Sequence, residues 1–148
     1  MKIYLGSDHA GFKLKEVLTK YLEKLGHQAI DLGPKTYDKN DDYPDYIIPV
    51  AKKVVKEKGS RGIVIGGSGQ GEALAANKIK GVRAALYYGG KLQIVKLSRE
   101  HNNANILSLG ARFVSKGEAK KALKLWLNTP FSKATRHRRR INKIEKLK

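Results

Sequence analysis

Short apolar segments alternate with amphipathic segments along the whole chain, and this alternation restricts the fold more than any other feature. Five apolar runs have the length of buried strands: 2–6, 28–31, 62–65, 82–87 and 106–109. The segments between and after them show helical spacing of apolar residues, and Gly or Pro marks several of their ends. Strands that alternate with helices form parallel sheets covered on both faces. The sequence therefore predicts an α/β, three-layer Rossmann-like fold with a five-stranded parallel sheet.

The last segment of the chain is strongly basic but still has an apolar pattern. Between 131 and 148 there are eight Lys or Arg residues and one acid, and Ile141, Ile144 and Leu147 recur every three residues. This spacing favours a C-terminal helix whose apolar stripe covers either its own sheet or a second subunit. No repeat or linker divides the chain, so we expect a single domain over residues 1–148.

Composition and charge narrow the function without deciding it. The 31 Lys and Arg residues exceed the 13 Asp and Glu residues, and the net charge of +18 favours nucleic acids or phosphorylated metabolites as partners. The chain has no cysteine, which excludes disulfides, thiolate chemistry and Cys-based zinc sites. No stretch reaches the length of a membrane span or resembles a signal-peptide core, so we expect a cytoplasmic protein without a membrane partner.

A glycine-rich segment at 66–72, with the sequence GGSGQGE, follows the third predicted strand. Ligands of open α/β sheets bind at this end of the strands, and N–H groups of such loops converge on anions. The segment has neither the Lys of a Walker loop nor a dinucleotide fingerprint. Glu72 falls in the first turn of the next helix, where the helix dipole would keep its carboxylate ionised. It would be either a base beside an oxyanion hole or a simple complement to the dipole.

Other polar residues form clusters whose interpretation stays open when each is taken alone. Asp8 and His9 directly follow the first strand, where Asp8 could equally be a helix N-cap. Arg136 and Arg140 are four residues apart, so on a helix they face the same way. They could hold one phosphate together, or they could belong to a solvated basic helix.

Taken together, six motifs resemble the type B ribose-5-phosphate isomerases and occur in that family's order. They are GSDHAGF at 6–12, DYPDY at 42–46, GGSGQGE at 66–72, AANK at 75–78, REHNNA at 99–104 and RHRRRI at 136–141. The related galactose-6-phosphate isomerase subunits share much of this pattern. The resemblance implies interconversion of ribose 5-phosphate and ribulose 5-phosphate, a step of the pentose phosphate pathway. It also implies proton transfer between C1 and C2 through an enediolate, without metal or cofactor.

The resemblance also implies a role for each matching residue. Glu72 would remove the C2 proton as the base, and His101 would open the furanose ring as the acid. Asp8 and Ser68 would hold sugar hydroxyls, and Asn102 would contact the sugar. The enediolate would be stabilised by the loop backbone, that is by Gly67, Ser68, Gly69, Gln70 and Gly71. The residues implied in phosphate binding are His9, Arg112, Arg136 and Arg140.

One position departs from the pattern of many family members, which place a cysteine base where this chain has Gly67. A glycine cannot act as a base, and no cysteine occurs elsewhere in the chain. A second branch of the family uses a glutamate where Glu72 stands, and this sequence resembles that branch. The interpretation drawn from the loop itself also points to Glu72.

The order of the elements predicts that the site is shared between subunits. His101 falls between a helix and the fifth strand, so it should lie at the amino end of the sheet, whereas the glycine loop lies at the carboxyl end. No histidine side chain covers that distance. A homodimer in which His101 of one chain faces Glu72 of the other would complete two equivalent sites. The order does not distinguish a dimer from a tetramer.

Three alternatives remain at this stage. A six-carbon substrate, galactose or allose 6-phosphate, differs from a pentose phosphate by one hydroxymethyl unit, which gives weak discrimination. A nucleic-acid-binding protein would use the basic segment 136–148 but gives no reason for Asp8, Glu72 and His101. A non-catalytic subunit would not need the base, acid and phosphate ligands that this chain has.

Overall fold

The computed structural model describes residues 1–147, and Lys148, the last residue of the predicted domain, lies outside the described residues. The five strands are β1 (Lys2–Ser7), β2 (Gln28–Asp31), β3 (Arg61–Gly66), β4 (Ala84–Tyr87) and β5 (Ile106–Gly110). The helices are α1 (Phe12–Lys24), α2 (Pro44–Lys56), α3 (Gln70–Asn77), α4 (Gln93–Glu100), α5 (Lys116–Asn128) and α6 (Thr135–Glu145). All strand pairs are parallel in the order β2-β1-β3-β5-β4, which confirms the predicted α/β fold.

Two apolar layers enclose the sheet because neighbouring residues of a buried strand point to opposite faces. Ile63 and Ile65 of β3 face the layer formed by α1, α4 and α5, in which Trp126 is fully buried. Val64, between them, faces the layer formed by α2 and α3. β3 is therefore covered on both sides, which explains its uninterrupted apolar sequence.

The edge strand β4 begins two residues later than the predicted run at 82–87. At this strand start the amide of Asn77 bonds the backbone of Ala84: its Oδ1 accepts from the backbone N–H of Ala84 at 2.9 Å, and its Nδ2 donates to the carbonyl of Ala84 at 3.0 Å. These bonds occupy both backbone groups of the first residue of β4. The helix predicted at 91–97 is likewise displaced toward the C-terminus, to Gln93–Glu100.

The basic C-terminal segment forms the predicted helix, but its apolar stripe is shorter than predicted. Leu147 lies beyond the end of α6 and is 85% exposed, so only Ile141 and Ile144 belong to the stripe. Both line a cavity of about 420 Å³ beside β4, and Glu145 ties the end of the helix to Arg83 at 2.8 Å. Among residues 1–147, no helix is long and apolar enough to cross a membrane.

Candidate active site

The glycine loop after β3 has the close approaches that its sequence requires. Gly69 has φ +76°, a left-handed conformation that favours glycine, and its carbonyl accepts from the Ser108 hydroxyl at 2.6 Å. A Cβ on Gly66 would lie 1.9 Å from Oε1 of Glu72, so the Glu72 carboxylate rests directly on the Cα of Gly66. The loop therefore has no space for side chains where it meets the candidate base.

Glu72 lies in the first turn of α3, as predicted, but its electrostatic setting differs from the prediction. The side chain is buried, with 4% of the residue exposed. Burial raises its pKa above the ordinary carboxyl value, the negative charge of Asp8 adds to this increase, and a bond from the Glu72 backbone N–H opposes it. Removal of the carboxylate from water thus opposes the helix dipole, which was expected to keep Glu72 ionised. A raised pKa suits a base that must take up a proton.

Asp8 makes a local backbone bond and also acts electrostatically on the candidate base. Its Oδ1 accepts from the backbone N–H of Gly11 at 2.8 Å, just before α1, which is the local capping role. Its backbone N–H donates to the carbonyl of Ile65 at 3.1 Å, so the residue is fixed to the end of β3. Its charge is close enough to act on the pKa of Glu72. The Asp8 and Glu72 carboxylates therefore lie close enough to interact electrostatically.

His9 is held by a residue that the sequence did not single out. Its Nδ1 donates to Oδ1 of Asp41 at 2.7 Å, while the Asp41 side chain is only 2% exposed. Tyr37 places its ring edge-on to the imidazole, with ring centroids 6.3 Å apart. Asp41 thus fixes the ring orientation of His9 and leaves Nε2 as the nitrogen available to a ligand.

The loop that carries Asp41 is anchored by a buried lysine. Nζ of Lys15, which is 1% exposed, lies 2.7 and 2.8 Å from the two carboxylate oxygens of Asp31 and donates to the carbonyl of Pro34 at 2.6 Å. The pKa of Asp31 is lowered by the bond from Lys15 and by the Gly33 N–H, against the opposing effect of burial. This ion pair joins α1 to the end of β2 and fixes the start of the loop.

Two further side chains border the glycine loop at the carboxyl end of the sheet. A Cβ on Gly71 would lie 2.8 Å from the ring of Tyr43, and a Cβ on Gly67 would lie 3.4 Å from the Arg112 guanidinium. Arg112 was predicted from the resemblance, whereas Tyr43 was not singled out in the sequence analysis. Its presence in the DYPDY motif, just before a helix, was the available signal.

His101 lies where the order of elements predicts, at the amino end of the sheet. It follows α4, and its ring stacks on that of His137, with centroids 4.2 Å apart. His137 is 4% exposed, and its pKa is lowered by burial first and then by the charges of His101, Arg136 and Arg140. Nε of Arg136 donates to Nε2 of His137 at 3.2 Å, so Nδ1 carries the proton and donates to Oγ of Ser132 at 2.8 Å. His137 therefore contacts and orients two candidate site residues, His101 and Arg136, and the sequence analysis did not single it out.

The predicted site residues fall into two groups at opposite ends of the sheet. The first group adjoins the carboxyl ends of the strands: Asp8, His9, Gly67, Ser68, Gly69, Gln70, Gly71, Glu72 and Arg112. The second adjoins the amino end of β5: His101, Asn102, Arg136 and Arg140. The paired register from Gly62–Ile106 to Gly66–Gly110 covers four residue steps. At about 3.3 Å per residue the two ends are about 13 Å apart, so one chain does not bring the groups together.

Comparison with known proteins shows which family has this fold together with such a glycine loop. The sequence model of the family described as Ribose/Galactose Isomerase matches residues 3–144. The chain belongs to this family. Ribose-5-phosphate isomerase B of Mycolicibacterium paratuberculosis is 48% identical over 142 residues, which cover 96% of this chain and 88% of that relative.

Solved structures of similar proteins have the same fold over nearly the whole chain. Ribose-5-phosphate isomerase B from Mycoplasma genitalium, crystallised with bound ribulose-5-phosphate, has a TM-score of 0.93 and 42% identity, covering 99% of this chain and 95% of that one. Type B ribose 5-phosphate isomerase from Trypanosoma brucei has a TM-score of 0.93 at 34% identity, covering 99% and 98%. The resemblance found in the motifs therefore extends to the three-dimensional structure.

Proposed function

We propose that this protein is a ribose-5-phosphate isomerase that interconverts ribose 5-phosphate and ribulose 5-phosphate through an enediolate, with Glu72 as the base. The observation that carries the proposal is the buried Glu72 carboxylate, which rests on Gly66 inside the glycine loop. Membership of the family and the relative crystallised with ribulose-5-phosphate support the choice of substrate. We also propose that residues 1–148 act as one domain and that the enzyme works in the cytoplasm.

The chemistry follows from the residues at the two ends of the sheet. Glu72 removes the proton from C2, and N–H groups of Gly67 to Gly71 stabilise the oxyanion that develops on O1 as the C1–C2 double bond forms. The hydroxyl proton of O2 then passes to O1, and Glu72 returns its proton to C1, which leaves the C2 carbonyl of the ketose. The Asp8 carboxylate accepts a hydrogen bond from a sugar hydroxyl, and the Ser68 hydroxyl bonds to another. His101 donates a proton to the ring oxygen when the furanose opens, and Asn102 contacts the sugar. Because the proton only moves within one substrate, these steps need no redox partner.

In this proposal the phosphate is bound by side chains from both groups, His9 and Arg112 on one side and Arg136 and Arg140 on the other. The second group comes from another subunit, since one chain leaves the two groups about 13 Å apart. A homodimer with two-fold symmetry then forms two equivalent sites, and two such dimers would form a tetramer. The stack of His101 on His137 supports this assignment, because it orders the acid and Arg136 as one unit.

The role of Glu72 is tested by Glu72→Gln, which keeps the shape of the side chain and removes its basicity. We expect kcat for ribose 5-phosphate to fall by about 10²–10⁴-fold with little change in KM. Glu118 offers a matched control, because it is also a glutamate in a first helical turn but is exposed at the start of α5. Glu118→Gln should keep full activity. Near-native turnover of Glu72→Gln would contradict the assignment, and parallel assays with allose and galactose 6-phosphates show which sugar is preferred.

The shared site is tested by complementation between two inactive variants, Glu72→Gln and His101→Ala. In a mixed dimer one site has both defects and the other has neither. Random pairing should therefore restore about a quarter of wild-type activity, since half of the dimers are mixed and each has one intact site. Absence of recovery, with subunit exchange verified by mass spectrometry of tagged chains, would place both residues in one chain's site.

A further inference from the structure

A cavity of about 390 Å³ lies at the amino end of the sheet, away from the glycine loop. Three arginines from different parts of the chain line it: Arg61 at the start of β3, Arg83 before β4 and Arg99 in α4. Asn103 and Asn105 add polar groups, and Val54 and Val55 of α2 add an apolar wall. None of the residues proposed to bind the sugar phosphate lines this cavity.

Each guanidinium group is fixed by bonds that use only part of its donors. Arg61 donates through Nη1 alone, to the carbonyls of Trp126 and Leu127 at 3.1 and 2.9 Å. Arg83 donates through Nε and Nη1, and Arg99 donates through Nε and Nη1.

Within residues 1–147, Nη2 of all three arginines and Nε of Arg61 therefore donate to no protein atom. None of these nitrogens is among the buried side-chain atoms that lack a partner, so each remains accessible to solvent. Groups of free N–H donors on fixed guanidinium planes match the oxygens of a phosphate.

Positive charge in the cavity is not balanced by carboxylates. Among the described residues, the carboxylate that pairs with the three arginines is Glu145, which binds Arg83 at 2.8 Å. The carbonyls at the end of α5 accept from Arg61 but carry only the partial charge of a helix terminus. Burial lowers the pKa of Arg99 to about 10, and the charges of Arg61 and Arg83 contribute to this decrease. Three neighbouring cations with one counter-charge leave the cavity favourable to an anion.

We propose that this cavity is a second anion-binding site, which takes a small phosphorylated metabolite independently of the substrate site. The three guanidinium groups bind the phosphate oxygens, and the wall formed by Val54 and Val55 contacts the organic part. The volume of the cavity exceeds the space that a phosphate group alone would fill and lies in the range of small-molecule sites. A surface lysine cluster would lack these properties, because its ammonium groups are mobile and fully hydrated.

The chain contains its own reporter for this cavity. Trp126 is the single tryptophan, and its ring lies under the guanidinium groups of Arg61 and Arg99, 5.1 and 5.8 Å from their Cζ atoms. An anion that binds these arginines changes the electric field at the indole and therefore its fluorescence. The test is a fluorescence titration of the full chain with inorganic pyrophosphate at constant ionic strength. We expect a saturable change in Trp126 emission.

Three variants, each of which removes one positive charge, identify where the anion binds. Arg61→Gln should weaken pyrophosphate binding at least about tenfold while keeping isomerase activity, which also shows that it folds. Arg136→Ala, in the proposed substrate site, and Lys124→Gln, at an exposed position of α5, should bind like the wild type. If Arg61→Gln does not fold, Arg83→Gln replaces it.

The outcomes separate this site from the substrate site. The proposal is overturned if no saturable signal occurs up to about 10 mM pyrophosphate, a concentration at which a millimolar site would be filled. It is also overturned if Arg61→Gln binds like the wild type, or if Arg136→Ala abolishes the signal, which would place the anion in the substrate site. Equal weakening by all three variants would show unspecific attraction to the net charge and would likewise reject it.

Discussion

Alanine at Gly66 should displace the proposed base while leaving the fold intact. The new Cβ would lie 1.9 Å from Oε1, 2.1 Å from Cδ and 2.4 Å from Oε2 of Glu72, so the whole carboxyl group occupies the space of the methyl group. Carbon and oxygen atoms that are not bonded stay roughly 3.2 Å or more apart, close to the contact distances of packed atoms. The carboxylate must therefore move by more than about 1 Å.

A displacement of this size determines the expected loss of activity. Misplacement of a catalytic group by about 1 Å costs on the order of 10²-fold in rate, which corresponds to about 2.7 kcal/mol in the activation free energy. The free energy of unfolding should change by less than about 1 kcal/mol, because the group that yields is the flexible end of a side chain rather than backbone. We therefore expect kcat of Gly66→Ala to fall about 10²-fold with a nearly unchanged unfolding midpoint.

Gly62→Ala is the matched control, because it adds the same methyl group to the same strand at the other end. Its Cβ would lie 3.0 Å from side-chain atoms of Ile106, Val50 and Val54, which belong to the packed core. We expect it to lower the free energy of unfolding by about 1–3 kcal/mol and to keep kcat within about twofold. The assay combines steady-state kinetics with urea unfolding of both variants. Native kcat in Gly66→Ala, or the same kcat loss in Gly62→Ala, would refute the placement of the base on Gly66.

Three further predictions follow from individual contacts. Since burial and Asp8 raise the pKa of Glu72, kcat/KM should increase with pH through a value above the ordinary carboxyl range, and Asp8→Asn should shift that limb to lower pH. Asp41→Asn weakens the bond that orients His9, so KM for ribose 5-phosphate should rise several-fold with a smaller change in kcat, measured by initial rates. Lys15→Met leaves a partly buried carboxylate without its main partner and should cost about 2–3 kcal/mol in urea unfolding.

Local sequence patterns predicted the strands and helices of this fold because each pattern is set by residues close together in the chain. The uninterrupted run in β3 and the helical spacing in α1 both result from burial, which the alternation of apolar and polar residues records directly. The start of β4 could not be predicted in this way. The amide of Asn77, seven residues earlier, bonds both backbone groups of Ala84, and no local pattern records this contact.

Candidate site residues that belong to a sequence motif were predicted, whereas residues that act on the site through a contact in the folded chain were missed. Asp41 lies 32 residues from His9 in a polar loop, and no spacing rule connects the two. His137 was part of a basic run, and only the packing of α6 shows that it stacks on His101. The helix dipole at Glu72 could be seen in the sequence, whereas the burial that raises the pKa of its carboxyl depends on the folded loop.

The charges at the two ends of the sheet support the proposed association of subunits. The glycine-loop end carries two carboxylates, Asp8 and the buried Glu72; burial raises the pKa of Glu72, and repulsion from Asp8 adds to this increase. The other end carries His101 together with Arg136 and Arg140; burial lowers the pKa of His137 there, and the charges of these three residues lower it further. In the isolated chain, like charges at each end of the sheet repel one another. Contact between the glycine-loop end of one chain and the His101 end of a second chain would reduce both repulsions. A two-fold arrangement that joins unlike ends is therefore favoured by the same charged residues to which we assign substrate binding and proton removal.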